Sequence, residues 1–497
     1  MARPRIPFSS LAHLNPVGDS LRRALFAALP SSAFRSVSEK YLTEPRGRIF
    51  ADGAFVVAPK SAEEAASVVK LCVEARTAIV PFGGGTGLVG GQIASGLPES
   101  VLLSLERMNE VRSISESDDA VVAEAGCTLQ AVREAARSAG RIFPLSTAAQ
   151  GSCHIGGCLA TNAGGVHVIR YGNARRLCLG IEAVMPDGSI WNGLQLLRKN
   201  NAGYDLRDLL VGSEGTLGVI TAASLALHPE LVEESTCLLA VPSPGEALDL
   251  LRLLRARVGS LISAYELIHG NSYRFVRETV PGARIPFADP PEWSVLIDIG
   301  AEFKLGVGQM LESAAGEAFD RGLATDGIVA ASESQRRSLW RFRELIPEAN
   351  RRIGSISSHD VSVPPSAIPE FIAKGDELLS RLGEFRVNCF GHVGDGNIHY
   401  NVFPAKGRGR DDCAALRTPV SRAVYGLAVE LGGSFAAEHG IGRTKTSELL
   451  EHGDAAFLES MRRVKDALDP LGIMNPGAVF PIEAAPGGHS PSNSQRQ

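Results

Sequence analysis

The chain has 497 residues, of which 44% are hydrophobic and 21% are charged. These fractions are typical of a globular protein, and the length predicts two or three domains. Fifty basic and 55 acidic residues give a net charge of −5, so no strong field attracts nucleic acid or an anionic membrane. We therefore expect no nucleic-acid partner.

The eight cysteines show no C-x-x-C spacing and lie mostly among apolar or small residues. This pattern predicts reduced, buried cysteines of an intracellular protein rather than a disulfide framework. The N-terminus lacks a charged segment followed by an apolar one, and no apolar stretch is long enough to span a bilayer. We expect a cytoplasmic protein that associates with membranes at most through a partner.

The first half of the chain alternates strand and helix patterns. Ser61-x-x-Glu64 forms a capping box before apolar residues at helical spacing. The alternation predicts a small α/β unit over residues 55–139, and Asp187-Gly188 predicts the turn of a hairpin. The predicted elements are a helix at 17–29, a strand at 55–58, the capped helix, strands at 78–82, 101–105 and 121–125, and a helix at 129–139.

A second region begins near residues 228–234, where a proline interrupts the pattern and charges cluster. It opens with another capping box, Ser243-x-x-Glu246, which has Pro244 at the first helical position. Long helices then alternate with strands such as residues 293–299. This order predicts an α+β domain in which helices cover an antiparallel sheet.

Residues 81–91 read PFGGGTGLVGG and follow a predicted strand. Gly85-x-Gly87-x-x-Gly90 matches the dinucleotide fingerprint, but that fingerprint requires a helix immediately after it. The residues at 92–98 cannot begin such a helix, which argues against a Rossmann fold. The dense glycines still form a run of backbone N–H groups suited to a phosphate. Two further glycine-rich segments, 151–165 and 203–218, suggest a long cofactor held along its length.

Residues 388–401 read NCFGHVGDGNIHYN and contain two histidines around an Asp-Gly pair. This pair is a strong signal for a two-residue hairpin turn, which would place His392 directly opposite His399. Asn401 would share their face of the ribbon. Two neighbouring imidazoles form half of a metal site, and Glu438-His439 is the candidate for its completion. Such a donor set suits a zinc-like divalent ion.

The helix predicted at residues 333–352 carries a row of arginines. Arg343 lies just beside the apolar stripe of this helix, where its guanidinium can reach a cleft and bind a carboxylate. Three other members of the row fit a solvated basic face better, namely Arg336, Arg337 and Arg341.

Three of these segments, PFGGGTGLVGG, GSCHIGGCLATNAGG and VGSEGTLGVIT, together resemble the FAD domain of the vanillyl-alcohol oxidase and p-cresol methylhydroxylase superfamily. The resemblance continues through GHVGDGNIHYN, AAEHGIGRTK and LDPLGIMNPG and covers about residues 45–480. Within the superfamily, the chain is similar to the FAD-linked D-2-hydroxy acid dehydrogenases. Its GSCHIGG motif is most similar to that of the D-2-hydroxyglutarate dehydrogenases.

The resemblance implies an α+β fold that has a two-part FAD-binding domain of the p-cresol methylhydroxylase type and a substrate (cap) domain. The implied division is an N-terminal helical segment at 1–44, the FAD-binding domain at 45–230, the cap domain at 231–430, a C-terminal segment completing the FAD site at 431–482, and a disordered tail at 483–497. FAD is expected to be noncovalent, because no His or Cys clearly matches an attachment residue. The expected FAD-binding residues are Pro81, Gly83, Gly84, Gly85, Thr86, Gly87, Leu88, Gly90, Gly91, Pro144, Gly151, Ser152, Ile155, Gly156, Gly157, Thr161, Asn162, Gly164, Gly165, Gly215, Gly218, Ile220 and Asn475.

The resemblance also implies roles for the polar residues. His392, His399 and Glu438 would bind a divalent metal, zinc or manganese, and His439 would be the general base. An assignment of His439 as a further ligand stays open. Substrate binding would involve Arg343, Asn401 and His439.

Two positions depart from the family pattern. Pro347 stands where the family often has Ser or Thr, and Ser358 stands where it commonly has Lys. In the 2-hydroxyglutarate enzymes both positions help to bind the distal carboxylate. Either Arg351 or Arg352 substitutes for them here, or the substrate is a different D-2-hydroxy acid.

These expectations together predict the oxidation of a D-2-hydroxy acid to the 2-oxo acid by hydride transfer to flavin N5. D-2-hydroxyglutarate is the first choice of substrate. The expected electron acceptor is an electron-transfer flavoprotein, a quinone or a cytochrome. The oligomeric state stays open, and a homodimer is one possibility. The alternatives are a D-lactate or glycolate dehydrogenase or oxidase subunit, a metal-independent flavin oxidase of an alcohol or sugar, and an accessory subunit in which FAD is structural or absent.

Overall fold

The computed structural model describes residues 11–482, so the predicted tail at 483–497 lies outside the described residues. Strands of the described part form sheets of three, five, two and seven strands. The two smallest are a parallel sheet in the order Phe55–Val57, Val101–Ser104, Ile79–Phe82 and an antiparallel pair of Arg141–Ile142 with His228–Pro229. The five-stranded sheet has the antiparallel order Val111–Ser115, Ala120–Glu124, Val219–Ala226, Cys178–Val184, Ile190–Asn192.

The predicted capped helix is present as Ala62–Ala75. The Ser61 hydroxyl accepts a hydrogen bond from the Glu64 backbone N–H (3.2 Å), which satisfies one free donor of the first turn. The predicted α/β unit is wrong in extent, because its parallel strands end at Ser104. The next predicted strand, observed as Ala120–Glu124, instead joins the antiparallel five-stranded sheet, which strand periodicity alone cannot distinguish.

The seven-stranded sheet is antiparallel throughout and carries the polar residues singled out above. Helices pack on both of its faces: Pro244–Val258, Val307–Asp320, Ile368–Leu382 and Arg417–Glu430 on one, Gly270–Thr279 and Glu333–Ile353 on the other. Its strand order is Asp326–Val329, Glu233–Ala240, Trp293–Ala301, Ile262–His269, Phe385–Gly391, Asn397–Pro404, Ser357–Ser362.

The other helices surround the first three sheets or follow the last strand. They are Asp19–Ala28, Glu39–Leu42, Leu129–Ser138, Ile155–Ala160, Val168–Tyr171, Ala174–Leu177, Leu206–Leu210, Thr446–His452 and Ala455–Leu468. Within residues 11–482, no helix combines the length and the apolar character that a membrane span requires. All eight cysteines are buried and unbridged, as the sequence predicts.

The predicted register of the histidine hairpin is wrong by two residues. Phe390, and not His392, lies opposite His399. The first strand ends at Gly391, which has a φ of +148°, and the His392 carbonyl accepts hydrogen bonds from the N–H groups of both Asp395 and Asn397. The connection is therefore a five-residue loop rather than a two-residue turn, and His392 stands on that loop.

Candidate active site

One cavity of about 1250 Å³ lies between the glycine-rich segments and the seven-stranded sheet. This volume exceeds the usual range of roughly 300–1,000 Å³ for small-molecule pockets, which suits a cofactor together with a substrate. Two chemically different walls enclose it. We call them the glycine wall, formed by residues 81–91, 146–167 and 213–220, and the charged wall, formed by the sheet, helix Glu333–Ile353 and residues 438–439.

The glycine wall leaves backbone exposed to the cavity. A Cβ added to Gly157 would meet nothing within 4 Å, whereas one added to Gly84 would lie 1.9 Å from the Ser152 carbonyl oxygen. Gly157 therefore leaves space in the cavity, and Gly84 permits two loops to touch. The predicted cofactor residues that line the cavity are Pro81, Gly83, Gly84, Gly85, Thr86, Gly87, Leu88, Gly91, Gly156, Gly157, Thr161, Gly164, Gly165, Gly215, Gly218 and Ile220.

Asn475 supports the glycine wall from behind rather than lining the cavity. Its side-chain amide donates hydrogen bonds to the carbonyl oxygens of Gly91 (2.9 Å) and Glu214 (2.8 Å), and so ties two loops of the wall to the C-terminal segment. The predicted cofactor residues outside the cavity lining are Gly90, Pro144, Gly151, Ser152, Ile155, Asn162 and Asn475.

The glycine wall fits a flavin dinucleotide. No helix follows Gly83–Gly91, so the loop presents backbone N–H groups without a helix N-terminus, as the sequence predicts. His154 also lines the cavity, and its buried Nδ1 has no hydrogen-bond partner among the described residues. Burial lowers the pKa of His154, so its neutral imidazole can donate or accept a hydrogen bond from a cofactor.

The charged wall brings the predicted metal ligands together. One ligand atom from each of His392, His399 and Glu438 lies within 4.8 Å of the others. Nε2 of His399 is 3.7 Å from a Glu438 carboxylate oxygen. Burial and the positive charge of His392 lower the pKa of His399 to about 3, so His399 is neutral and able to bind a metal. The donor set of two imidazoles and one carboxylate fits zinc or manganese.

Glu266 is a member of the site that the sequence did not predict. It lies on the central strand Ile262–His269, fully buried, and accepts a hydrogen bond from Nδ1 of His392 (2.6 Å). This contact leaves Nε2 of His392 as the metal-binding atom, the arrangement that orients many ligand histidines. Burial opposes charge on His392, but Glu266 raises its pKa to about 9, so a metal there must displace a proton.

Asp360 is the second unpredicted member. It is buried opposite His399 in the sheet, and its Oδ2 accepts hydrogen bonds from the backbone N–H groups of Glu438 and His439, both 2.9 Å. The same oxygen lies 3.2 Å from Nδ1 of His439. Asp360 thereby fixes the Glu-His segment against the sheet and orients the His439 ring, whose Nε2 lies 3.7 Å from a Glu438 carboxylate oxygen.

Arg343 lines the cavity as predicted, but it has a counterion. Its guanidinium contacts Glu266 at 2.6 and 2.9 Å and lies over the Phe390 ring, 4.8 Å from the ring centroid. Arg336, expected on a solvated face, is instead mostly buried and pairs with the buried Asp298 (3.2 Å). Helix Glu333–Ile353 continues through Pro347.

Residues 53–193 match the family model described as FAD binding domain, and residues 232–479 match that of FAD linked oxidases, C-terminal domain. A D-2-hydroxyglutarate dehydrogenase of Arabidopsis thaliana is 34% identical over 93% of this chain and 83% of the relative. A D-2-hydroxyglutarate dehydrogenase of Xanthomonas citri pv. viticola is 38% identical over 87% of this chain and 90% of the relative. This chain belongs to the FAD-linked oxidase family.

A solved structure of p-cresol methylhydroxylase with substrate bound matches this FAD-linked oxidase with a TM-score of 0.72 at 13% identity, covering 93% of this chain and 97% of the other. At that identity the likeness concerns the fold alone. It confirms the α+β fold and the p-cresol methylhydroxylase type of FAD domain. FAD is therefore the cofactor, and the matched FAD binding domain contains two of the three segments of the glycine wall.

Proposed function

We propose that this protein oxidises a D-2-hydroxy acid to the 2-oxo acid with noncovalent FAD and a divalent metal. The observation that carries the proposal is that the glycine wall and the cluster of His392, His399 and Glu438 face one cavity. When bound, FAD supplies an acceptor for the hydride of the substrate Cα. A metal on the cluster supplies a Lewis acid for the substrate oxygens.

His439 is proposed as the general base. The contact of its Nδ1 with Asp360 leaves Nε2 to take the proton of the substrate hydroxyl, an arrangement in which a carboxylate orients the base. A second grouping of donors, Asp360, Glu438 and His439, also lies within 4.8 Å. We favour the first grouping for the metal because the Asp360 oxygens already accept hydrogen bonds from Asn397 and from two backbone N–H groups.

Arg343 is proposed to position the substrate carboxylate at the charged wall. Its pairing with Glu266 does not remove it from the cavity, because Glu266 contacts Nε and Nη2 and leaves Nη1 available. Glu266 therefore links the residue that holds the substrate carboxylate to a ligand of the metal. D-2-hydroxyglutarate is the first substrate to test, since this is the substrate in the names of the relatives.

The test is 2-oxo acid formation from D-2-hydroxyglutarate before and after dialysis against a chelator. We expect turnover to fall by about a thousandfold, because a Lewis acid supplies several kcal/mol of transition-state stabilisation. Zinc or manganese should restore turnover, and the flavin absorbance should not change. Full activity without metal would instead support a metal-independent flavin alcohol oxidase, and a protein that never binds flavin would refute the enzyme.

A further inference from the structure

Several arginines that line the cavity have no carboxylate partner among residues 11–482, or only an exposed one, and we consider three of them, Arg46, Arg48 and Arg410. Within residues 11–482, the side chains of Arg46 and Arg48 form no ion pair and no hydrogen bond with other side chains. Among the described residues, the Arg410 guanidinium pairs only with Asp411, at 3.5 Å on the surface. Five arginines of helix Glu333–Ile353 line the same cavity. Four of them pair with a carboxylate, namely Arg336, Arg337, Arg341 and Arg343, whereas Arg351 has no ion pair within residues 11–482.

The segment that carries Arg46 and Arg48 is held in place by Glu44. This carboxylate is buried and accepts hydrogen bonds from the backbone N–H groups of Arg46 and Arg48, both at 2.7 Å. Its oxygens are thus directed to the backbone and not to the guanidinium groups. The two side chains are left exposed to the solvent of the cavity, where a ligand can reach them.

Arg410 lines the same cavity from a different segment of the chain. Its Cδ would lie 3.8 Å from a Cβ added to Gly354, and the next residue, Ser355, shares a 2.7 Å hydrogen bond with Ser358. Partial burial, and then the positive charges of Arg46, Arg417 and Arg410, lower the pKa of Arg48. The arginines of the two segments therefore lie close enough to repel one another.

The register of the sheet relates these arginines to the metal ligands. Ser358 pairs with Asn401, and Asp360 pairs with His399, so the two pairs are two residues apart along the strands. Residues i and i+2 of a strand share a face and are roughly 7 Å apart. A substrate whose hydroxyl lies at His399 and His439 can thus extend past Asn401 towards the arginines.

We propose that Arg46, Arg48 and Arg410 bind the distal carboxylate of a dicarboxylic 2-hydroxy acid. Guanidinium groups bind carboxylates bidentately, and an anion relieves the repulsion among neighbouring cations. In this chain the three arginines take over from the side chains expected at positions 347 and 358, where Pro347 and Ser358 stand. The inference rests on the proposed function, which supplies the position of the reacting end.

The test compares D-2-hydroxyglutarate with D-2-hydroxypentanoate, which has the same five-carbon chain without the distal carboxylate. The variants are Arg46→Gln, Arg410→Gln and the double variant, with Arg337→Gln as the control, since Arg337 lines the same cavity but pairs with Glu333. We expect each single variant to lower kcat/KM for D-2-hydroxyglutarate roughly 10- to 100-fold and to leave D-2-hydroxypentanoate within about twofold. The control should retain both values.

Equal use of the two acids by the unmodified enzyme, or an equal loss of both in the variants, would overturn the inference. Glutarate separates this outcome from a failure of the proposed function, because it lacks the hydroxyl and cannot react. Calorimetric binding of glutarate by the unmodified holoenzyme, and its loss in the double variant, would support the arginines even if no hydroxy acid were oxidised. Absence of glutarate binding to the unmodified holoenzyme would refute the proposed role of the three arginines.

Discussion

The two walls of the cavity are built by opposite means. The glycine wall uses backbone groups from contiguous segments and has few charged side chains, whereas the charged wall uses side chains that different strands bring together. A flavin needs space and backbone donors, and glycines provide both. A metal and a hydroxy acid need charges at fixed positions, and Glu266 and Asp360 provide that fixation from within the sheet.

Removal of a proposed metal ligand should have the largest effect of the variants on the two walls. His399→Ala is expected to lower turnover by about a thousandfold or more, because the metal's stabilisation of substrate charge is lost. Bound metal should fall, measured by elemental analysis, while the flavin spectrum stays unchanged. His452→Ala, a histidine outside the cavity lining, is the control and should retain metal and activity. Unchanged metal content in His399→Ala would contradict the assignment.

Glu266→Gln should have a smaller effect through His392. The substitution keeps the shape of the side chain but removes the charge between His392 and Arg343. Loss of such a supporting carboxylate weakens metal binding by about 10- to 100-fold, so higher metal concentrations should restore much of the activity. A metal titration of the flavin-loaded enzyme measures this shift. An unchanged titration midpoint would show that Glu266 does not support the metal site.

Gly157→Leu should act on the opposite wall and spare the metal. The added side chain points into cavity space that contains no protein atom within 4 Å of its Cβ, so it should clash with FAD and not with the fold. We expect FAD affinity to fall roughly tenfold or more, measured by fluorescence titration of the apoprotein. Gly316→Leu is the matched control, because Gly316 is also helical and open to 4 Å but lies outside the cavity lining. Equal FAD binding by both variants would place the flavin elsewhere.

The sequence predicted the glycine wall better than the charged wall. The features that allowed this are local, and the structure has each of them. They are the dense glycines, the loop that is not followed by a helix after residue 91, and the capping box at Ser61. His392, His399 and Glu438 were predicted as ligands because they lie in two short motifs, and the structure brings their donor atoms within 4.8 Å of one another. Glu266 and Asp360 had no such signal, because their positions depend on the order of seven strands from distant parts of the chain.

The histidine hairpin shows how a local rule fails. Asp395-Gly396 favours a two-residue turn, but the His392 carbonyl binds the N–H groups of Asp395 and Asn397 and widens the connection to a five-residue loop. His392 still meets His399, with ring centroids 5.4 Å apart. It does so because Glu266, on the next strand, holds its ring, a contact that no pattern within residues 388–401 can reveal.

The most direct test of the account is the absorbance of the flavin under anaerobic conditions as D-2-hydroxyglutarate is added to the metal-loaded enzyme. We predict that the oxidised flavin band bleaches with the D-enantiomer and stays unchanged with the L-enantiomer. The chelator-treated enzyme should bleach about a thousandfold more slowly. A flavin that no 2-hydroxy acid reduces, in an enzyme that contains metal, would contradict the account.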